Sequence, residues 1–422
     1  MSYQKQNFKK DLQYYKFCSY GFLKNLRLFE PFIILFFLEN NLTFLQIGIL
    51  YSIREITRNV FEIPAGIISD SLGRKKTMIA SFGLYIVSFV TYYFAQTYPV
   101  FILAMIFYSF GDAFRTGTHK AMIFDYLKMN HWEDQKVYYY GYTRSWSQFG
   151  SAISALVAGF LVFYSGSYRM IFIYSALPYV LDLILITSYP KALNGQVAGH
   201  DQQKISARFK AVTSDFFSAL FNRKSLKSIA NLSMFTGYYK AVKDYLQPVL
   251  QTFAFGLPVF LVWEEKQRTA IIVGVIYFFI YLLTSFSSRK SGSFSARYKY
   301  IIIPLNITLL IGFSFGLVSG IFYEYHLLIF AIIAYIIIYL VENLRKPMGI
   351  SYITENIDNR ILATVLSAES QAHALVAAIL APIIGLLADS FGLGPALAVI
   401  SLVMILLAPI YMARKKDMDL KI

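Results

Sequence analysis

The chain reads as a succession of twelve apolar runs, each close to the ~20 residues that a helix needs to cross a bilayer, separated by short polar or Gly/Pro-containing segments. They fall at about 19–38, 44–68, 77–95, 99–124, 142–164, 170–189, 230–254, 269–287, 300–322, 327–344, 361–388 and 396–413; charge interrupts the first, second, seventh and eleventh. With 57% hydrophobic and only 15% charged residues, and a mean hydropathy of +0.51, apolar side chains must cover the outside of the fold as well as its interior. The solvent on that outside is lipid, which excludes a soluble enzyme. The expected fold class is an all-α polytopic membrane protein with 12 transmembrane helices.

The net charge of +15 raises the question of an acidic partner, but its distribution answers it. With both termini cytoplasmic, the inside segments hold 27 of the 39 basic residues, the outside loops 3 and the spans 9. Lys and Arg accumulate in cytoplasmic loops for topological reasons, so the excess marks orientation in a cell (plasma or inner) membrane and implies no nucleic acid. Cys18 is the single cysteine, so neither an intramolecular disulfide nor a thiolate metal site is expected. Lys24, Arg27 and Glu30 interrupt the first apolar run, and no cleavable signal peptide is read there.

The longest polar stretch, Lys191 to Lys227, lies midway with six runs on either side. It divides the chain into an N-terminal six-helix bundle (1–190), a cytoplasmic linker (191–228) and a C-terminal six-helix bundle (229–422). Between the second and third runs stands Gly66-Ile-Ile-Ser-Asp70-Ser-Leu-Gly73-Arg74-Lys75-Lys76. Gly66 permits close helix contact, Gly73 a tight turn, and Asp70 can accept from helix-end amides or a basic side chain; Arg74 and Lys75 are expected at the headgroups. This segment resembles the signature of the major facilitator superfamily, Gly-x-x-x-Asp-(Arg/Lys)-x-Gly-Arg-(Arg/Lys), with Ser71 in place of the usual basic residue. An echo, Gly385-Leu-Leu-Ala-Asp389-Ser-Phe-Gly392, closes the eleventh run. The second and eleventh runs are each the second of three and run in opposite directions, as nested inverted repeats require. The resemblance implies two six-helix bundles, alternating access, and Gly66, Asp70, Gly73, Arg74 and Lys75 as a gating motif.

The spans carry nine basic residues (Lys24, Arg27, Arg54, Arg58, Arg115, Lys120, Arg144, Lys240, Lys243) and nine acidic ones (Glu30, Glu55, Glu62, Asp112, Asp125, Asp182, Asp244, Glu342, Glu369). A charge in mid-bilayer costs at least ~2.5–3.5 kcal/mol, so each either pairs inside the bundle or serves function. Arg54, Arg58 and Glu62 form one helical stripe that must face protein or water. Gly237-Tyr238-Tyr239-Lys240-Ala-Val-Lys243-Asp244 mixes glycine, aromatics and charge and reads as a broken helix. The resemblance places chiefly the first, fourth, seventh and tenth helices around a central cavity, with the second, fifth, eighth and eleventh contributing. The candidate substrate residues are therefore Arg27, Arg54, Arg58, Arg115, His119, Arg144, Tyr238, Lys240, Asp244 and Glu342. The proton-coupling candidates are Glu30, Asp112, Glu369 and His373, the last two one turn apart. No metal site and no cofactor is expected.

Gly312-Phe-Ser314-Phe-Gly316 matches a nucleophile pattern but lies within an apolar run, where glycines four apart serve close packing. No phosphate-binding Gly-x-x-x-x-Gly-Lys-(Ser/Thr) occurs. The sequence thus leads to a monomeric, non-enzymatic secondary active transporter of a small molecule, coupled to protons and exporting drug-like compounds. The alternatives are carriage of an anionic solute, such as an organic acid or metal-siderophore complex, and, more remotely, a non-transporting membrane sensor.

Overall fold

The computed structural model describes residues 8–194, 223–258, 262–356 and 362–413. Of the predicted linker, 195–222 lie outside the described residues. The described residues form helices and no strand: α1 (Leu12–Lys24), α2 (Ile33–Glu39), α3 (Phe44–Leu72), α4 (Arg74–Phe94), α5 (Tyr98–Arg115), α6 (Thr118–Met129), α7 (Lys136–Ser165) and α8 (Met170–Thr187) come first. After the linker follow α9 (Arg223–Val242), α10 (Leu246–Gly256), α11 (Glu265–Ser295), α12 (Ile302–Glu324), α13 (Leu328–Asn356), α14 (Leu362–Phe391) and α15 (Leu393–Tyr411).

Among the described residues nine helical stretches are long and apolar enough to cross a membrane. The other three predicted spans are the charged first, second and seventh, two of which are also broken. Asn25 ends α1, turning its side-chain amide back to the Gly21 carbonyl at 2.7 Å, and a short 3-10 turn at Glu30–Phe32 leads into α2. The fourth span is divided at Thr116–Gly117 because Gly117 adopts φ +80°, open to glycine and strained for other residues. The seventh breaks at a 3-10 turn, Lys243–Tyr245. There α13 compensates: the Tyr335 hydroxyl donates to the Val242 carbonyl, and Tyr339, one turn on, donates to the Lys243 carbonyl at 2.7 Å. Backbone oxygens freed within a membrane span need such partners, since lipid offers none.

The helices group into two compact units, one drawn from Met1–Pro31 and Thr57–Ile205, the other from Phe32–Ile56 and Ser206–Ile422; α3 is divided between them. In the first unit α4 packs on α5 and α8, and α1 on α7. Its core is aromatic, with Tyr85 edge-on to both Tyr108 and Tyr179 at about 5.1 Å between ring centres. In the second unit α9 packs on α14, and α12 on α13 and α15. Gly312, Gly316 and Gly320 are the small-residue seam of α12, where Phe235, Tyr238 and the Gly394 backbone approach. Ser314 of the discounted nucleophile pattern sits mid-helix on an exposed face.

The predicted tenth span stops at 344, whereas α13 continues to Asn356. Arg345, read in the sequence as the start of a cytoplasmic loop, is therefore a helix-interior residue and only 2% exposed. A charged residue at the end of an apolar run looks like a boundary; here neutral oxygens accept it instead.

Candidate functional site

A cavity of about 400 Å³ lies within the first unit, between α1, the second half of α3, the α5–α6 break and α7. Lys24, Arg58, Arg115, Lys120 and Arg144 line it, together with His119 and Gln148, and no aspartate or glutamate is among its lining residues. The helix breaks build this concentration of charge. Lys24 and Arg115 are the last residues of α1 and α5, where the negative end of the helix dipole favours a cation, and Lys120 opens α6. Arg144 and Gln148 stand one turn apart on α7.

Arg115 is held from behind. Its guanidinium donates to Asp112 at 2.8 Å and to the Tyr85 hydroxyl at 3.0 Å, while Tyr85 donates to the same Asp112 oxygen at 2.6 Å. Asp112, a proton-coupling candidate, is thus the structural partner of a cavity arginine. The His119 ring is stacked on Tyr20 with 3.5 Å between centres and lies edge-on to Phe17, its Nε2 3.3 Å from the Tyr189 hydroxyl. Arg27 pairs with Glu30 at 3.6 Å and does not line the cavity. Among the described residues no ion pair holds Lys24, Arg58, Lys120 or Arg144, which leaves four cationic side chains available to a ligand.

The second unit holds a different arrangement, in which charges neutralise one another. Glu55, only 3% exposed, accepts from Arg54 at 3.2 Å and from Lys240 at 2.8 Å. Arg54 also lies over the Tyr51 ring at 4.5 Å, and Tyr51 donates at 2.8 Å to Asp244, which pairs with Lys243 at 2.8 Å. Lys240 and Asp244 are therefore each engaged with a partner that the sequence left unassigned. Glu342 accepts from Thr236 at 3.2 Å, and His373 Nδ1 is 3.3 Å from Glu369, as their spacing predicts. Tyr238 is fully buried, shares a 2.7 Å hydrogen bond with Ser401 and fills the seam over Gly316, so the structure gives it to packing and not to a cavity wall. Arg345, absent from the predicted site, donates to the Leu305 carbonyl, to Thr308 at 3.1 Å and to the Asn231 backbone and side-chain oxygens at 3.2 Å, with the Phe235 ring 4.9 Å away.

The segment expected to gate is built as a local brace. Gly73 takes φ +98°, and a β-carbon there would meet the Asn194 side chain, whose oxygen accepts from the Lys75 amide at 3.1 Å. The Lys75 ammonium donates to the Thr187 and Tyr189 carbonyls at 2.6 and 2.8 Å, and Arg74 pairs with Asp125. Protein oxygens, and not headgroups alone, hold both basic residues. Gly66 has open space where its β-carbon would stand, so the expected close helix contact is not made through it among the described residues. The echo does make its contacts: Gly385 sits against the Phe44 backbone, and Asp389 accepts from the Phe44 and Leu45 amides at 2.8 and 2.9 Å, capping α3.

Bilayer-length helices that carry ion pairs inside apolar spans and enclose a polar cavity define a polytopic solute carrier. The sequence profile of the Major Facilitator Superfamily matches residues 17–370, and the chain belongs to that family. It is similar to the uncharacterized MFS-type transporter YxaM of Bacillus subtilis (strain 168), at 22% identity over 412 residues, covering 96% of this chain and 97% of that protein. Among solved structures it is similar to a mutant of the nucleoside transporter NupG (TM-score 0.76, 15% identity, 94% of this chain and 98% of that one). A second is a POT family transporter in complex with 5-aminolevulinic acid (TM-score 0.73, 13% identity, 96% of each chain). These likenesses establish the fold.

Proposed function

We propose that the chain is a secondary active carrier of a small anionic solute, working by alternating access in a cell membrane with both termini cytoplasmic. The observation that supports this reading is the cavity wall, in which Lys24, Arg58, Arg115, Lys120 and Arg144 stand without a carboxylate among them. Charges of one sign gathered in a place of low dielectric repel one another unless an anion enters, and guanidinium pairs offer the forked donors that carboxylate and phosphate accept. Of the two solute classes read from the sequence, this favours the anion over the drug-like compound. Export of apolar compounds finds its support elsewhere, in a groove of about 320 Å³ lined by Tyr15, Cys18, Phe22, Leu23, Trp146 and Phe149. That groove holds no charged residue. Flux in proteoliposomes against a panel of organic acids, phosphate esters and neutral drugs, with and without a pH gradient, tests the reading. Saturable, pH-gradient-driven flux of an acid supports it; flux of neutral drugs alone overturns it.

A further inference from the structure

Asp182, in the middle of α8, is 0% exposed, and neither of its carboxyl oxygens has a hydrogen-bond partner among the described residues. A carboxyl so placed is costly to ionise unless a cation stands by it, so it needs either a cation or a proton. Its setting is tied to the cavity through α1. The Tyr179 hydroxyl donates to the Lys24 backbone carbonyl at 3.3 Å, fixing α8 against the end of α1, and the Lys24 ammonium stem forms part of the cavity wall. Asp182 follows Tyr179 by three residues on α8, so its carboxyl stands one turn from this contact with Lys24. Tyr20, whose buried hydroxyl likewise lacks a hydrogen-bond partner, stands one turn before Lys24 on α1.

Of the other ionisable groups on the elements packed against α8, Lys75 on α4 donates to the Thr187 and Tyr189 carbonyls at the end of α8, and Tyr139 on α7 has a buried hydroxyl with no hydrogen-bond partner among the described residues. On α4, Tyr85 donates to Asp112 and Tyr92 to the Met105 sulfur. On α7, Arg144 lines the cavity, and beyond α8 the Tyr189 hydroxyl is shared between His119 and the Lys16 carbonyl. Lys24 is therefore the cation placed between a buried carboxyl on one side and an anion site on the other.

We propose that Asp182 is the proton-binding carboxyl of this carrier and that Lys24 is shared between it and the anionic solute. With no solute, ionised Asp182 holds the Lys24 ammonium. A bound anion draws Lys24 into the cavity, and the Asp182 carboxylate takes one proton from hydronium, releasing water and forming an O–H bond. Counted over Asp182, Lys24 and one negative charge of the solute, the sum is zero in both forms, so one proton accompanies one negative charge of solute. This rests on the anionic reading of the cavity and adds to it the group that couples it to protons.

The test is infrared difference spectroscopy of the full chain in lipid nanodiscs, with wild type, Asp182→Asn and Lys24→Gln, and sulfate as the probe anion. A protonated-carboxyl C=O band that is present in wild type and missing from D182N is expected. Sulfate should increase that band at fixed pH in wild type and leave it unchanged in K24Q. If D182N does not fold, Asp182→Leu, which needs no hydrogen-bond partner, takes its place. An identical carboxyl band in wild type and the Asp182 variant overturns the assignment. Sulfate that binds by calorimetry without changing the band overturns the sharing of Lys24. Absence of sulfate binding, together with the band's loss in D182N, counts against the anionic reading while Asp182 stands as a proton site.

Discussion

Asp112 and Arg115, one turn apart at the end of α5, form a 2.8 Å ion pair whose acceptor oxygen also takes the Tyr85 hydroxyl. The pair fixes the direction in which the cavity arginine points. Asp112→Asn should therefore lower thermal stability by on the order of 3 kcal/mol, the cost of leaving one buried partner uncompensated, reduced by residual exposure. Tyr85→Phe, which loses one hydroxyl, should cost about 1 kcal/mol. Unfolding of the purified protein in detergent reads both, and equal effects would assign the hold to Tyr85 instead.

The broken seventh span depends on tyrosines from α13. Tyr335→Phe and Tyr339→Phe each leave a carbonyl of the 242–245 turn without its donor, and each should cost about 1–2 kcal/mol in a lipid environment. Hydrogen exchange should rise locally at the turn and at the start of α10. Unchanged exchange there would mean that water or neighbouring backbone already serves these oxygens.

Asp389 caps α3 across the second unit. Asp389→Ala should destabilise the first turn of α3 by about 1 kcal/mol, as loss of a helix cap does elsewhere, and Asp389→Asn by less. Exchange at the Phe44 and Leu45 amides is the readout, and protection equal to wild type would deny the cap.

Arg345 is satisfied by a fork of neutral oxygens, a geometry that lysine cannot reproduce. Arg345→Lys should cost about 2 kcal/mol or more because the Asn231 and Leu305 oxygens lose donors. A lysine variant as stable as wild type would show that charge alone, and not the fork, is what the site requires.

Much of the fold is legible in the sequence because lipid imposes a length and a hydropathy on every crossing. The twelve runs, the turn at Gly73 and the break near Lys243 follow from residue type and local spacing. The site is less so, because its members come from separate helices. Lys24, Arg58, Arg115 and Arg144 are spread over more than a hundred residues, and nothing in their spacing says that they share a wall while Arg54, one turn from Arg58, turns to Glu55. Equal numbers of acids and bases in the spans suggest general pairing; the structure pairs Arg54, Lys240 and Lys243 of the second unit with Glu55 and Asp244, and Arg27 and Arg115 of the first with Glu30 and Asp112, yet leaves the first unit's cavity wall without a carboxylate. Arg345 escaped notice because it follows an apolar run. Asp182 was visible as a charge, but its isolation exists only in three dimensions.

The central claim is that the cavity selects negative charge. Thermal stabilisation of the purified protein by small organic acids, each compared with its amide and its amine of the same size, measures that selection most directly. The acids alone should stabilise wild type, and the effect should fall at least tenfold in apparent affinity, about 1.4 kcal/mol, in Arg115→Gln and Arg144→Gln. Equal stabilisation by amides and amines, or acid binding that survives both substitutions, would contradict the account.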